Sequence, residues 1–209
     1  MPTPDRTSLP AIVAAGEAIL DADGLAAVTM AAVAQRVGVR PPSLYKRVSS
    51  CDELIGLIAQ AAAGDLGARL AAVGPAAPRG RLEELAVVVR EFARARPAAY
   101  RLVFTAGGEG VGLSRDVLRD TSAPLFEVVA ELAGPAHALE AARTVTAWVT
   151  GFIAMELGGE FQLGGEIDAA FDYGIDRIAD AITGGGQEPA GAPAASVAAR
   201  PSSDPGTTA

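Results

Sequence analysis

Apolar residues recur at three- and four-residue intervals along almost the whole chain, and this spacing limits its fold more than any other feature. It is the interval at which side chains share one face of an α-helix. The clearest stripes run through 82–93 and 167–182. No run of alternating polar and apolar residues with hairpin turns stands out, so the pattern predicts an all-α fold.

Composition excludes several classes of function. The chain has 209 residues and a net charge of −8, with one histidine and one cysteine. Most histidine-centred triads and His or Cys metal sites are therefore excluded, and neither a G-x-S-x-G motif nor a phosphate-binding loop occurs. We expect no catalytic residues, no bound metal and no cofactor, hence no enzyme. The lone Cys51, the absence of a signal peptide and the absence of a long purely apolar run predict a cytoplasmic protein without a membrane span.

A short segment beginning at residue 28 has the capping residues of three successive helices. Thr29 is a good N-cap for a helix over about 30–37, and Gly38 suits the left-handed turn that ends it. A second short helix is predicted to begin near Pro42 with Pro41 at the cap, because proline suits a first turn. A serine at 50 followed by a glutamate at 53 is a capping box for the third helix.

The apolar spacing in this segment predicts a helix-turn-helix. Val33 and Val37 face inward from the first helix, while Leu44 and Val48 anchor the second. The residues left on the outer side are those that a recognition helix needs: Arg40, Ser43, Lys46 and Arg47.

Net charge alone does not favour DNA binding. Residues 1–60 contain five basic and six acidic side chains. Three of the five cations, however, lie within 40–47. Local charge dominates over distances of about 10 Å at 0.1 M salt, so we expect weak non-specific binding and an affinity that depends on the operator.

The run DADGLAAVTMAAVAQRVGVRPPSLYKRVSSCDELIGLI resembles the DNA-binding domain of the TetR family of bacterial transcriptional regulators over its whole length. The resemblance extends over residues 8–60. It implies a two-fold dimer, an operator in double-stranded DNA, and a C-terminal domain that binds a small-molecule inducer. Repression is the usual mode of that family and is adopted here on that ground.

The resemblance also implies individual DNA contacts. Arg40 and Ser43 should meet base edges or nearby phosphates, and Tyr45 and Lys46 should contact the phosphate backbone. Thr29 should touch a phosphate while it caps its helix. The family often has lysine where this chain has Cys51, which puts one backbone contact in doubt. The complete predicted DNA-binding set is Thr29, Arg40, Pro41, Ser43, Tyr45, Lys46 and Arg47.

The stretch AARTVTAWVTGFIAMELGGEF resembles a C-terminal domain of the WHG type found in a subset of these regulators, with Trp148 and Gly151 at its characteristic positions. The helices near 82–96, 114–133 and 138–157 are expected to enclose a mostly hydrophobic effector, with Arg101, Arg115 and Glu127 nearby. For Trp148, Phe152 and Met155 the core or the dimer interface stays open as an alternative, and aromatic residues such as the other four are more often core than pocket. The predicted ligand wall is Phe92, Tyr100, Phe104, Phe126, Trp148, Phe152 and Met155.

Helices near 138–157 and 168–183 are expected to form a four-helix interface between two subunits. The first of them is apolar on nearly all sides, which is typical of a helix buried in a core or against a partner. The residues predicted at this homodimer interface are Val145, Val149, Ile153, Phe171, Ile175 and Ile178.

The predicted domains follow from the linkers GPAAPRG and TAGGEGVG and from a tail with scarcely any large apolar residue. Two alternatives stay open: a non-catalytic helical interaction module, and a TetR-like DNA-binding protein with no effector. The predicted divisions are a flexible N-terminus (1–7), a helix-turn-helix domain (8–55) whose fourth helix continues to about 73, a ligand-binding and dimerisation domain (79–183), a loop that gates its site (105–112), and a disordered tail (184–209).

Overall fold

The computed structural model describes residues 8–104 and 113–184. The predictions for 1–7, for the gating loop at 105–112 and for the tail from 185 onward lie outside these ranges. The described residues are mostly helical and contain no strand. The helices are α1 (Leu9–Asp23), α2 (Met30–Val37), α3 (Pro41–Leu44), α4 (Cys51–Ala71), α5 (Pro78–Ala95), α6 (Pro97–Phe104), α7 (Arg115–Ala133), α8 (Ala138–Leu157) and α9 (Ile167–Gly184).

The N-terminal head contains α1, α2 and α3, packed against the first part of α4. Ser8 caps α1 by accepting a hydrogen bond from the Ala11 N–H at 3.4 Å, and Gly24 ends it at φ +82°. Ile12 and Leu20 are fully buried on the inner face of α1. A 3₁₀ turn, Leu25–Ala27, then leads into α2.

Helix α4 joins the head to the rest of the molecule. It packs against α1 at one end and against α5, α6 and α7 along its length. By length and composition alone it could cross a membrane, but seven of its residues are buried inside this chain. Such burial is typical of a core helix in a globular protein.

Helices α5 to α9 form the C-terminal part, and their apolar faces join the head in one continuous core. Helix α5 ends just before Pro97, which begins α6. Pro124 lies buried inside α7 and leaves one helical carbonyl without its usual donor. The prediction of an all-α fold with a helix-turn-helix head and a helical C-terminal domain is confirmed.

An ion-pair cluster ties the end of α8 to α5 and α9. The Arg90 guanidinium donates from Nε and Nη2 to the two carboxylate oxygens of Glu156, each at 2.8 Å, and its side chain is only 7% exposed. Arg94 donates to Glu156 and to Asp168 at 2.6 Å. The hydrogen bond from Arg90 outweighs the effect of burial and holds the pKa of Glu156 below its ordinary value of 4.5.

Helices α8 and α9 touch where a glycine meets an indole ring. A Cβ placed on Gly174 would lie 2.1 Å from Cζ2 of Trp148. This separation is far below van der Waals contact, and the rigid indole cannot yield as a flexible chain would. The close approach of the two helices therefore requires glycine at this position.

Alanine at position 174 should lower the free energy of unfolding by about 1 kcal/mol, because the cost of overpacking exceeds the gain in helix propensity. Gly64→Ala on α4 is the matched control, since a Cβ there meets no atom within 4 Å. Denaturant unfolding of both variants measures the difference. Equal stability of the two would contradict the contact between Gly174 and Trp148.

Candidate nucleic-acid interface and ligand cavity

The turn between α2 and α3 is set by local hydrogen bonds at both ends of α2. The Thr29 hydroxyl accepts from the Ala32 N–H at 3.1 Å and so caps the start of the helix. Gly38 takes the left-handed conformation (φ +76°, ψ +36°), and the Val39 N–H donates to the Ala34 carbonyl at 2.9 Å. These two features orient the chain that enters α3.

Helix α3 begins at Pro41, one residue before the predicted start. Arg40 is the N-cap instead of Pro41, with extended backbone (φ −83°, ψ 146°), because it too precedes a proline. Its carbonyl accepts from the Ser43 N–H at 2.9 Å. The helix is one turn long. Beyond its end, the Val48 N–H donates to the Leu44 carbonyl at 3.0 Å, which adds one more helical hydrogen bond.

Two apolar anchors hold α3 against the head. Leu44 is 0% exposed and Val48 is 1% exposed. The polar and proline side chains of this segment lie on its outer side, where Ser43 is half-buried and Tyr45 is 54% exposed. The exposed residues are Arg40, Pro41, Pro42, Tyr45, Lys46 and Arg47.

The start of α4 is capped twice. The Ser50 hydroxyl accepts from the Glu53 N–H at 3.0 Å, while the Glu53 carboxylate accepts from the Ser49 N–H at 2.6 Å. Hydrogen bonds from the side chain and backbone of Ser49 lower the pKa of Glu53 below its ordinary value. The Cys51 thiol donates to the Val28 carbonyl at 3.3 Å, which ties this helix start to the residue before Thr29.

Arg96, at the joint between α5 and α6, connects the C-terminal part to the head. Its guanidinium contacts Glu17 at 3.0 Å and Asp21 at 2.9 Å on α1, and Asp65 at 3.2 Å on α4. Burial opposes its charge, but the hydrogen bonds to Glu17 and Asp21 outweigh this and raise the pKa of Arg96. We call these four residues the Arg96 cluster. It places one positive charge against two of the acidic side chains of the head.

A cavity of about 330 Å³ lies between α4, α5, α6, α7 and α8. Its polar lining consists of hydroxyl side chains: Thr121, Ser122, Thr146 and Thr150. The apolar lining is Leu66, Leu70, Leu82, Leu85, Ala86, Val89, Val103, Phe104, Leu113, Leu118, Leu125, Val145 and Val149.

Family comparisons match both parts of the chain. The family described as bacterial regulatory proteins, tetR family, matches residues 12–57, and the family described as tetracyclin repressor-like, C-terminal domain, matches residues 82–178. The chain belongs to the TetR family of transcriptional regulators. It is a DNA-binding protein with a helix-turn-helix, and the predicted resemblance to this family is confirmed. The matched descriptions do not name the WHG type, which stays a prediction.

Several solved structures share the fold. Mycobacterium smegmatis BioQ has a TM-score of 0.65 and 24% identity, over 86% of this chain and 99% of its own. BioQ bound to its natural double-stranded DNA operator has a TM-score of 0.63 and 24% identity, over 84% and 97%. A TetR variant from Acinetobacter baumannii AYE in complex with minocycline has a TM-score of 0.63 and 22% identity, over 83% and 95%. Comparison with curated protein sequences finds no match.

In this regulator of the TetR family, the residues predicted as a ligand wall lie in different places. Phe104 lines the cavity, whereas Phe126 and Met155 are 38% and 41% exposed. Phe92 is buried beneath the guanidinium groups of Arg69 and Arg96. The remaining members of the predicted wall are not among the residues that line this cavity: Tyr100, Trp148 and Phe152.

Trp148 belongs to an aromatic cluster inside the regulator. Its ring centroid lies 5.4 Å from that of Phe152 and 5.3 Å from that of Phe171, and Phe152 also packs against Phe161. The Arg90 guanidinium stacks 4.4 Å from the centroid of the Phe171 ring. The core alternative for Trp148 therefore fits its position better than the ligand wall does.

Most residues predicted for the dimer interface point into the chain itself. Five of them are at most 5% exposed within one subunit, and Ile178 is half-buried. A side chain that is already buried inside one subunit has little surface left for a partner. The inward face of α8 carries Val145, Val149 and Ile153, and α9 buries Phe171 and Ile175. The interface set as a whole stays a prediction.

Proposed function

We propose that this regulator is a cytoplasmic repressor that binds its operator as a homodimer and is released by a small effector. The observation that carries the proposal is the outer side of α3. A rigid double-proline start and two buried anchors present Arg40, Tyr45 and Lys46 to solvent. Such a short helix at the second position of a helix-turn-helix, flanked by exposed cations, suits the major groove.

The similar structure of BioQ with its operator supports the proposed partner. In our proposal Arg40 and Ser43 meet base edges or nearby phosphates, Tyr45 and Lys46 contact phosphates, and Thr29 lies beside a phosphate. Pro41 and Arg47 complete this surface. Capping of α2 by Thr29 and of α4 by Ser50 leaves further first-turn N–H groups that can receive phosphate oxygens.

Operator binding in a salt series tests the proposal. We expect Arg40→Ala to lower the affinity for the operator about tenfold and to relax the sequence preference, because a base contact is lost. Lys46→Ala should weaken operator and random DNA alike and should reduce the salt slope by about one. Gel shift or fluorescence anisotropy with a fragment from the gene's own upstream region measures both.

Arg119→Ala is the control for loss of one positive charge, since Arg119 is exposed on α7, away from the head. For the unchanged protein, the slope of log operator affinity against log salt concentration should correspond to about four to eight phosphate contacts. A slope near zero, or wild-type binding by both head variants, would contradict the proposed docking.

The cavity supports release by an effector. Its wall includes Leu66 and Leu70 of α4, the same helix that carries the head at its other end. A ligand that fits the cavity better in the DNA-incompatible arrangement shifts the population of heads away from the operator. The complex of a similar TetR variant with minocycline supports a small-molecule partner.

The exposed faces of α8 and α9 support a dimer. On α8 the small residues Ala147 and Gly151 recur outward with Met155, and on α9 Tyr173 is 69% exposed. Small side chains let two helix pairs approach closely, and the apolar ones lose contact with water there. We propose this face as the subunit interface. Sedimentation equilibrium checks it, since a single-chain mass at micromolar concentration would contradict a stable dimer.

A further inference from the structure

Among the residues that the structure describes, no charged side chain lines the cavity described above. Arg101, Arg115 and Glu127, which the sequence placed near an effector, are not among its lining residues. Glu127 instead accepts from Arg81 at 2.9 Å. An ion that entered would lose its hydration without gaining an opposite charge, which is the costliest way to bury a polar group.

Three of the four hydroxyl groups in the wall already donate their protons to backbone carbonyls. Thr121 donates to the Ala63 carbonyl at 3.2 Å. Ser122 and Thr150 donate to the carbonyls one turn earlier in their own helices, each at 2.7 Å. A hydroxyl has one proton but two lone pairs, so these groups can still accept a hydrogen bond.

The wall therefore favours one kind of polar group over another. A carboxylate or phosphate needs several donors, and these three hydroxyls cannot supply them without breaking their bonds to the backbone. A ligand hydroxyl, in contrast, can donate to a threonine or serine oxygen and leave those bonds intact. Thr146, on the exposed side of α8, adds a further hydroxyl at the edge of the wall.

The volume limits the size of the ligand. A cavity of about 150 Å³ lined by apolar side chains holds one benzene molecule. The cavity here, at about 330 Å³, is roughly twice as large. It therefore accommodates about a dozen non-hydrogen atoms.

We infer that the effector of this regulator is an uncharged, largely hydrocarbon molecule of about a dozen non-hydrogen atoms, carrying at most one hydroxyl-type donor. The inference rests on the proposed function and sharpens it. Its driving force is the transfer of apolar surface from water to the leucine and valine side chains of the wall. A carboxylate or ammonium of the same chain length is excluded by the cost of burying its charge.

A matched series of ten-carbon ligands tests the inference. We expect 1-decanol to bind the full-length protein by titration calorimetry and to raise its melting temperature. Decanoate and decylammonium, each below the concentration at which it aggregates, should bind at least about tenfold more weakly at neutral pH. Equal or tighter binding of decanoate, or no binding of decanol, would overturn the inference.

Two substitutions of one residue type on α5 locate the site. Val89 lines the cavity, whereas Val87 is 37% exposed and does not. Val89→Phe should lower decanol affinity at least about tenfold by filling the space, while Val87→Phe should bind as the unchanged protein does. Leu118→Trp gives a second blocking variant, at a lining position that is 50% exposed and therefore has room for a larger side chain. Unchanged decanol binding by both blocking variants overturns the location.

Operator affinity measured without ligand separates this inference from the proposed function. Loss of operator binding together with retained selectivity for decanol overturns the proposed repressor and supports the ligand class. Normal operator binding together with a preference for decanoate overturns the ligand class and leaves the repressor standing.

Discussion

Replacing Glu156 by glutamine should lower the free energy of unfolding by about 3 kcal/mol. The Arg90 guanidinium, with a side chain 7% exposed, would lose the charge that balances it, since Glu156 takes both of its 2.8 Å hydrogen bonds. Asp168, 2.9 Å from the same guanidinium, limits the loss to the low end of the range for broken buried pairs. The melting temperature should fall by about 6–12 °C.

Glu127→Gln is the matched control, because Glu127 also pairs with an arginine but is 62% exposed. Its effect should stay below about 1 kcal/mol. Denaturant unfolding of both variants decides the comparison. If Glu156→Gln cost no more than Glu127→Gln, the buried pair would not be a major support of the fold.

The ion pair of Arg90 and Glu156 makes the stability of the fold depend on pH. The pKa of Glu156 is lower in the folded state than its ordinary value of 4.5, so the stabilisation it provides is complete above that value. It is lost as the pH falls through the folded pKa. The stability difference between the unchanged protein and Glu156→Gln should therefore shrink in acid.

Replacing Arg96 by methionine should lower the free energy of unfolding by about 2 kcal/mol and loosen the head. Methionine keeps the apolar length of the side chain but leaves Glu17, Asp21 and Asp65 to repel one another. Asp65 retains Arg69 at 3.1 Å, which moderates the effect. Hydrogen exchange should increase more in α1 than in α8, because α1 holds two members of the Arg96 cluster.

Arg96→Lys distinguishes charge from geometry. Lysine keeps the positive charge but cannot match the planar fork that reaches three carboxylates, so it should restore only part of the stability. Arg119→Met, at a side chain 68% exposed, controls for the loss of any surface arginine. The role of the Arg96 cluster would be refuted if Arg96→Met behaved like Arg119→Met, or if exchange rose equally in α1 and α8.

The helix-turn-helix could be predicted because its signals are local. A threonine cap, a left-handed glycine and a proline pair each act on residues within one turn, so their effect does not depend on the rest of the fold. The one-residue difference at α3 arises because Arg40 and Pro41 both precede a proline, and sequence alone does not say which of them is the cap.

The inward face of α8 could not be predicted because this helix is apolar on nearly all sides. Periodicity finds an inner face only when the other face is polar. In the structure Val149 is buried and Gly151 is exposed, because α8 packs against α7 and α9 on the side that carries Val149. Ion pairs such as that of Arg90 and Glu156, which are 66 positions apart, likewise leave no local pattern.

Helix α3 is too short to be stable by itself, because the hydrogen bond of a single turn does not offset the backbone entropy lost in forming it. Its conformation depends on the buried side chains of Leu44 and Val48 and on the residues that cap it. The outward polar side chains, unlike the two prolines, therefore contribute little to folding. Substitution of these polar side chains can therefore change the DNA sequence that the protein prefers, while the head keeps its architecture.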